Sequence, residues 1–163
     1  MKHLQFFATL LIAGTVFTSC GKDDDKKDDP KPETEVVTNG SYAGTMVANL
    51  TDGSTYTRDE VSVDYNLTDT AGYVLTFYNV SFSSRMPVIL KLIIPNVEIE
   101  MEDGKTTFSG NGIVPWAVMS EGANPMEFAQ YIISDFSGTI QDETFSVSFV
   151  CGKTPTTFTG SKK

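Results

Sequence analysis

Residues 144–151 have the sequence Thr-Phe-Ser-Val-Ser-Phe-Val-Cys, in which Phe145, Val147 and Phe149 alternate with two serines. This period of two is typical of a β-strand that has one face on an apolar core and the other face in water. Cys151 continues the apolar row, so we predict that it is a small buried residue. The alternative is a reactive thiol, which would need a nearby base or cation.

Similar segments fill most of the chain after residue 40. Eight of them are rich in Val, Ile, Thr, Phe and Tyr, which are enriched in strands, and they are residues 41–50, 56–67, 73–82, 88–101, 105–114, 131–140, 144–151 and 156–160. Turn pairs that accept a positive φ lie between several of them, as at Asp52-Gly53 and Asp103-Gly104. Because short links join antiparallel neighbours, we expect an up-and-down antiparallel β-barrel of about eight strands. The first strand should pair with the last, since closure removes two exposed edges.

Residues 115–130 interrupt this rhythm of strands. Asn124 followed by Pro125 and Glu127 is typical of a helix start, so one short helix is predicted here. In a barrel, such a segment would lie at a mouth, where its apolar side chains either plug the core or cover a pocket. Its aromatic and methionine side chains offer adaptable apolar contact, and the candidate ligand contacts are therefore Trp116, Met119, Met126 and Phe128.

The first nineteen residues have the form of a lipoprotein signal peptide. A basic start precedes an apolar run at residues 6–17, and small residues lead to Cys20. The run is too short to span about 30 Å of hydrocarbon, so a removable signal is favoured, and acylation of Cys20 would supply the membrane anchor. Phe17 departs from the leucine that is usual in bacterial lipoprotein signals, and ordinary secretion with cleavage nearby is the alternative.

Residues 20–35 are predicted to be a charged tether, and residues 36–163 the folded domain. Lys22, Asp23 and Asp24 resemble the export tag of surface-exposed lipoproteins in Bacteroidetes, in which a basic and two acidic residues follow the lipidated cysteine. We therefore expect an outer-membrane lipoprotein displayed at the cell surface. A solvated linker is the alternative interpretation of the same residues.

Composition excludes several functions. Residues 36–163 carry 14 acidic and 7 basic side chains, a net charge of −7, which disfavours nucleic-acid binding. The only histidine is His3, inside the signal, so the mature chain lacks imidazole for acid-base catalysis or for zinc and copper ligation. If Cys20 is acylated, Cys151 has no disulfide partner in the chain. We expect no enzyme activity, no cofactor and no metal.

Two other patterns are weaker candidates. Glu98, Glu100 and Glu102 alternate with apolar residues, which indicates the solvent face of a strand more than a row of metal ligands. Thr70, in Asp69-Thr70-Ala71, matches the short acceptor pattern of Bacteroidetes O-glycosylation, although a predicted loop there needs no sugar.

Four further segments carry a family resemblance: Tyr-Ala-Gly-Thr at residues 42–45, Pro-Val-Ile-Leu at 87–90, Ser-Gly-Thr-Ile at 137–140 and Thr-Phe-Thr-Gly at 157–160. With them, residues 40–161 resemble the calycin-like, or lipocalin-like, domain of Bacteroidetes lipoproteins. The resemblance implies an antiparallel barrel whose last strand pairs with its first, and it implies no catalytic residue.

Two functions remain open from the sequence. The first is non-catalytic binding of a small apolar or amphipathic ligand, or of a glycan, in the barrel or at its mouth. The second is a structural or interaction module with a filled barrel, accessory to a complex of the cell envelope.

We predict that the protein partitions into detergent and incorporates labelled fatty acid, because several acyl chains on Cys20 hold a protein on a membrane stably. Cys20→Ala should abolish the labelling, whereas Cys151→Ala, which removes the other cysteine, should leave it unchanged. Fatty-acid label that persists in Cys20→Ala would contradict the prediction that Cys20 is the acylated residue.

Overall fold

The computed structural model describes residues 37–68 and 71–163, with side chains described from residue 40 onwards. The predicted signal and tether, the lipidation site Cys20, the export residues Lys22, Asp23 and Asp24, and the glycosylation candidate Thr70 all lie outside the described residues.

Within the described residues, ten strands form a single antiparallel sheet. The strands are β1 (Val37–Asn49), β2 (Thr55–Thr68), β3 (Gly72–Val80), β4 (Leu90–Glu102), β5 (Lys105–Gly110), β6 (Trp116–Val118), β7 (Met126–Glu127), β8 (Ile133–Gln141), β9 (Thr144–Cys151) and β10 (Thr154–Lys162). The hydrogen-bonded order is β3-β2-β1-β10-β9-β8-β5-β4, and β3 also pairs with β4. The sheet is therefore a closed barrel of eight strands, as predicted. The first strand lies beside the last, with Tyr42 opposite Lys162 and Ala48 opposite Thr156, which confirms the predicted closure.

β6 continues β5 along the same edge of β4. Residues 105–109 of β5 pair with the second half of β4, and residues 116–118 of β6 pair with its first half. Between them, β4 contains Pro95, which has no N–H to donate, and Asn96, whose φ is 56°. The ladder from β4 to β5 is interrupted at this point, and Ile113 pairs with Ile133 of β8 instead.

The interruption reverses which residues face the interior. Phe108 is buried, and Trp116 is an even number of residues further along the chain. Uninterrupted alternation would therefore place Trp116 on the same, inward face. After Gly112, whose φ is 67°, the buried residues are Ile113, Pro115 and Ala117. Because one extra residue in a strand exchanges its two faces, Trp116 is placed on the outer surface of the barrel.

The segment between β5 and β8 leaves the barrel as a hairpin. β6 pairs with β7, with Trp116 opposite Glu127 and Ala117 opposite Met126. A single 3₁₀ turn at Ala129–Tyr131 then leads into β8. The helix start predicted at Asn124 does not occur, because residues 126–127 hydrogen-bond to β6 rather than within a helix. The short helix of this region is the 3₁₀ turn, five residues further along.

Aromatic rings fill the middle of the barrel. Phe145 lies at the centre, with ring-centroid distances of 5.4 Å to Tyr42, 5.2 Å to Phe108 and 5.8 Å to Phe158. Tilted and edge-on contacts of this kind stabilise a core beyond the area that they bury. The interior is therefore packed rather than open.

The two ends of the barrel differ in their connections. At one end, the turn end, lie Val37, Lys162 and the short links β2–β3, β4–β5 and β8–β9. At the other end, the mouth, lie the longer connections of residues 81–89 and 111–132 together with the β1–β2 and β9–β10 links. The chain thus enters the barrel at the end opposite to the mouth.

The seam between β1 and β10 requires two glycines. Gly44 lies opposite Gly160, and a Cβ added to Gly44 would overlap the backbone of Thr159. A Cβ on Gly160 would lie 2.6 Å from the carbonyl oxygen of Ala43 and 2.6 Å from the ring of Phe158. Backbone atoms at such distances cannot move aside without disturbing the ladder.

We predict that Gly160→Ala lowers the free energy of unfolding by about 1–3 kcal/mol, the usual cost of overpacking. Denaturant melts followed by circular dichroism measure it. The control is Ser161→Ala, the exposed neighbour on the same strand, which should stay within about 0.5 kcal/mol of the parent chain. Equal stability of the two variants would show that the seam tolerates a methyl group.

Candidate functional site

A cavity of about 270 Å³ lies at the mouth of the barrel. Its walls come from the β3–β4 connection, the 3₁₀ turn and the β9–β10 hairpin, and its apolar lining consists of Phe82, Met86, Leu90, Phe128, Tyr131 and Cys151. The remaining lining residues are Ser83, Arg85 and Thr154. The site is thus a small apolar pocket with few polar groups.

The floor of the cavity is the top of the core. Leu90 and Cys151 are 1% and 3% exposed. The next inward-facing residue on β9 is Phe149, whose ring lies 5.7 Å from that of Phe77 and 5.8 Å from that of Phe136. Because these rings close the barrel below it, the cavity is a pocket at one end and does not run through the interior.

One wall is a turn held by two hydrogen bonds to the carbonyl oxygen of Ser83. The hydroxyl of Ser81 donates to the carbonyl oxygen of Ser83 at 3.0 Å, and the N–H of Met86 donates to the same oxygen at 3.2 Å. The N–H of Phe82 lies 3.5 Å from the sulfur of Met86. This turn brings Phe82 and Met86 to the cavity and leaves Arg85 exposed at the rim.

A second wall is a stacked aromatic pair, formed by Tyr131 of the 3₁₀ turn and by Phe128 directly before that turn. The rings of Phe128 and Tyr131 lie 4.8 Å apart at an angle of 26°, and the N–H of Tyr131 donates to the carbonyl of Phe128 at 2.8 Å. Gly152 lies beneath Tyr131 with a φ of 62°, and a Cβ there would be 3.1 Å from the tyrosine ring. A glycine at this turn therefore allows Tyr131 to approach the β9–β10 hairpin.

The structure places the four sequence-derived ligand contacts in different environments. Phe128 lines the cavity, as a residue at the mouth should. Trp116 lies on the outer face and is 37% exposed, while Met119 and Met126, which are 38% and 52% exposed, belong to the β6–β7 hairpin outside the cavity. The four residues do not form one site.

Sequence reasoning missed the residues that complete the cavity. Phe82 and Met86 lie on the β3–β4 connection, but the sequence pattern predicts Phe82 as the last residue of a strand and places Met86 in a short link. Tyr131 is predicted as the first residue of a strand. The available signal was the stretch Ser-Phe-Ser-Ser-Arg-Met-Pro at residues 81–87, in which two large apolar residues occur in a segment rich in turn formers.

The thiol of Cys151 is part of the cavity wall. Burial raises its pKa from 9.0 to about 12, and its sulfur lies 3.9 Å from the carbonyl oxygen of Tyr131. A thiol with this pKa stays protonated at neutral pH and is a poor nucleophile. The environment therefore agrees with the predicted core residue.

The row of three glutamates on β4 lies away from the mouth cavity. Glu98, Glu100 and Glu102 are all exposed on β4, towards the turn end of the barrel. In the two described ranges, no group of three or more His, Cys, Asp or Glu side chains is arranged to hold a metal ion. Within those same ranges, no helix has the length and apolar character needed to cross a membrane.

Comparisons with protein-family models, with curated proteins and with solved structures give no match to this chain. The mouth cavity and its residues are therefore the basis for any functional conclusion.

We predict a loss of stability at high pH from Cys151, measured in a chain with Cys20→Ala so that one thiol remains. Because the folded pKa is raised, the neutral thiol contributes its full stability below pH 9.0, and this contribution declines as the pH rises towards about 12. Between pH 8 and pH 10, denaturant melts should show a decrease of about 1 kcal/mol.

The control is Cys151→Ala in the same background, which should lack this part of the pH dependence. Tyrosines with raised pKa values, such as Tyr42 and Tyr65, remain in both chains and cancel in the comparison. Identical slopes for the two chains would contradict a strongly raised thiol pKa.

Proposed function

We propose that this protein is a lipoprotein anchored through Cys20 whose barrel binds a small apolar or amphipathic ligand at the mouth without turning it over. The observation that carries the proposal is the apolar cavity of about 270 Å³ above the packed core. Concave apolar sites with a few polar groups are typical of small-molecule binding.

The size of the cavity limits what it can hold. Ligand pockets usually measure roughly 300–1,000 Å³, so this cavity is slightly smaller than the usual range. It fits a small ligand or the apolar end of a longer one whose remainder lies at the rim. A deep lipocalin-like cup is not available, because aromatic rings occupy the middle of the barrel.

The lining favours an apolar group over a glycan. Sugar hydroxyls lose hydrogen bonds to water on burial and need polar partners in the protein. Apart from backbone groups, the cavity offers Ser83, Arg85 and Thr154, and its other lining residues are apolar. A hydrocarbon chain or ring has no hydrogen bonds to water that it would lose in such a pocket, and the transfer of its apolar surface out of water is favourable.

The residues around the cavity support binding rather than catalysis. The chain from residue 20 onwards contains no histidine, and the one thiol in the wall is protonated at neutral pH. Among the described lining residues there is no carboxylate that could act as a base. These side chains hold a ligand but offer no group to activate it.

An N-terminal anchor is compatible with access to the cavity. The described chain begins at Val37 at the turn end, whereas the cavity opens at the mouth. Lys22-Asp23-Asp24 supports outward display of the domain at the surface of the outer membrane, where the ligand would be captured.

An interaction module remains the second candidate, and exposed apolar side chains favour it. Ile89, Trp116, Met119 and Met126 are each more than one third exposed near the mouth and lie outside the apolar cavity. Exposed apolar groups of this kind can form a contact surface for a protein partner.

The binding function is tested through Cys151, which is the only thiol when Cys20→Ala is introduced into the full chain. Its rate of reaction with a disulfide reagent at pH 8 is measured with 1-octanol, with cholate and with a malto-oligosaccharide. Because Cys151 is 3% exposed, it reacts when the mouth of the barrel opens. A ligand bound in the closed cavity opposes this opening, so at about ten times its Kd an apolar or amphipathic compound should slow the reaction about tenfold.

A matched pair of variants controls for surface effects. Thr154→Trp places a ring in the cavity and should abolish binding measured by calorimetry, whereas Thr157→Trp, exposed on the same strand, should leave binding intact. If no compound changes the rate or produces heat, the interaction module replaces the binding function.

A further inference from the structure

Arg85 is the only charged side chain among the described residues that line the mouth cavity. It lies between Ser83 and Met86 on the turn that forms one wall, and its side chain is exposed. Arginine is scarce in this protein, which contains only one other, Arg58. Arg58 is committed elsewhere, because its guanidinium donates to the backbone carbonyl and the side-chain oxygen of Asn79.

A second cavity, of about 580 Å³, lies beside the first, and it too has one charged lining residue, which is basic. It shares Tyr131, Cys151 and Thr154 with the mouth cavity, so Tyr131 separates the two. Its single charged residue is Lys153. The two adjoining cavities therefore contain two cations, and none of the described residues that line them is acidic.

This arrangement differs from the charge of the rest of the domain. Residues 36–163 have twice as many acidic as basic side chains, 14 against 7. The cavity at the turn end has the expected acidic character, since it is lined by Glu100, Glu102 and Asp103 together with Lys105. The linings of the two adjoining cavities are thus cationic. The wider mouth is not, because its connections also carry Asp52, Glu121 and Glu127, and a further cavity of about 460 Å³ that shares Leu90 contains both Lys91 and Glu121.

We propose that the ligand is a free anionic amphiphile, whose apolar tail occupies the mouth cavity and whose single anionic head group, such as a carboxylate, binds Arg85 at the rim. This inference rests on the proposed binding function and names the class of its ligand. The apolar floor at Leu90 and Cys151 receives the tail, and the guanidinium presents paired donors that match the two oxygens of a carboxylate.

The position of Arg85 explains why an anion is selected over other head groups. A cationic head group at the rim would meet Arg85 nearby and Lys153 beyond Tyr131, with no carboxylate in either lining to offset the repulsion. A neutral head group would gain only an uncharged hydrogen bond. Since the rim is exposed, the preference for the anion is moderate and falls with added salt.

The test compares three amphiphiles that share an eight-carbon tail: octanoate, 1-octanol and octyltrimethylammonium. Each is titrated against the full chain with Cys20→Ala, and the Kd is obtained from protection of Cys151 and from calorimetry. Octanoate should bind about tenfold more tightly than 1-octanol, the effect of one partly exposed charge-assisted hydrogen bond, and the ammonium compound should bind most weakly.

Substitutions identify the residue that reads the head group. Arg85→Met keeps an apolar stem but removes the charge, so octanoate and 1-octanol should bind with equal Kd, while Arg85→Lys should retain part of the preference. Lys105→Met removes one charge at the turn end and should leave the preference at about tenfold. Circular dichroism of each variant confirms that the barrel is intact.

The outcomes separate the two proposals. Equal binding of octanoate and 1-octanol to the parent chain, or a full preference for octanoate in Arg85→Met, overturns the role of Arg85 but leaves the binding function standing. If none of the three amphiphiles binds, both proposals fail.

Discussion

Pairing between β1 and β10 is the contact on which the rest of the barrel depends. Without it, the sheet would have two long unpaired edges, and its concave face could not enclose a core. The strands meet closely because Gly44 and Gly160 lie opposite each other, and neither leaves room for a side chain. Because these glycines have no side chain, large rings fit next to the seam. Phe158, two residues before Gly160, packs against Phe77 and Phe145.

Closure around aromatic rings also determines where a ligand can bind. Small barrels have interiors that side chains can fill, and here Tyr42, Phe77, Phe108, Phe145 and Phe158 occupy the middle. Space remains only at an end, where the inward-facing residues are the smaller Leu90 and Cys151. The apolar pocket lies at the mouth, where the connections are longer and form walls above the core, whereas the cavity at the turn end is lined by charged and polar residues.

Much of the fold could be predicted from the period of two, because side chains alternate between water and core along most of the long strands, as in β9 and β10. The eight predicted strands match β1–β5 and β8–β10, and the turn glycines at Gly53 and Gly104 have positive φ, as their dipeptides indicated. Burial of Cys151 could be predicted in the same way, because Cys151 continues the alternating apolar row of Phe145, Val147 and Phe149. Strands of two and three residues, such as β7 and β6, are too short to show any period, and their pairing depends on contacts distant in sequence.

The candidate site was only partly predictable for a related reason. Phe128 lines the cavity, but the face on which Trp116 lies depends on irregular backbone at Gly112 and on the matching irregularity at Pro95 and Asn96 of the neighbouring strand. A one-residue change in the alternation of either strand exchanges its faces, and composition does not reveal where that change occurs. Arg85, likewise, is marked by its place on a turn rather than by any motif.

The same irregularities link the fold to the cavity. Because β5 cannot continue its ladder with β4 past Pro95, residues 111–115 turn towards β8, and Ile113 pairs with Ile133. The chain then passes through the β6–β7 hairpin before it returns, and this return places the 3₁₀ turn with Phe128 and Tyr131 over the end of the barrel. An uninterrupted β5 joined to β8 by a short turn would leave Leu90 and Cys151 without this wall. The break in one strand ladder is therefore what builds the wall of an apolar pocket on a barrel whose interior is already full.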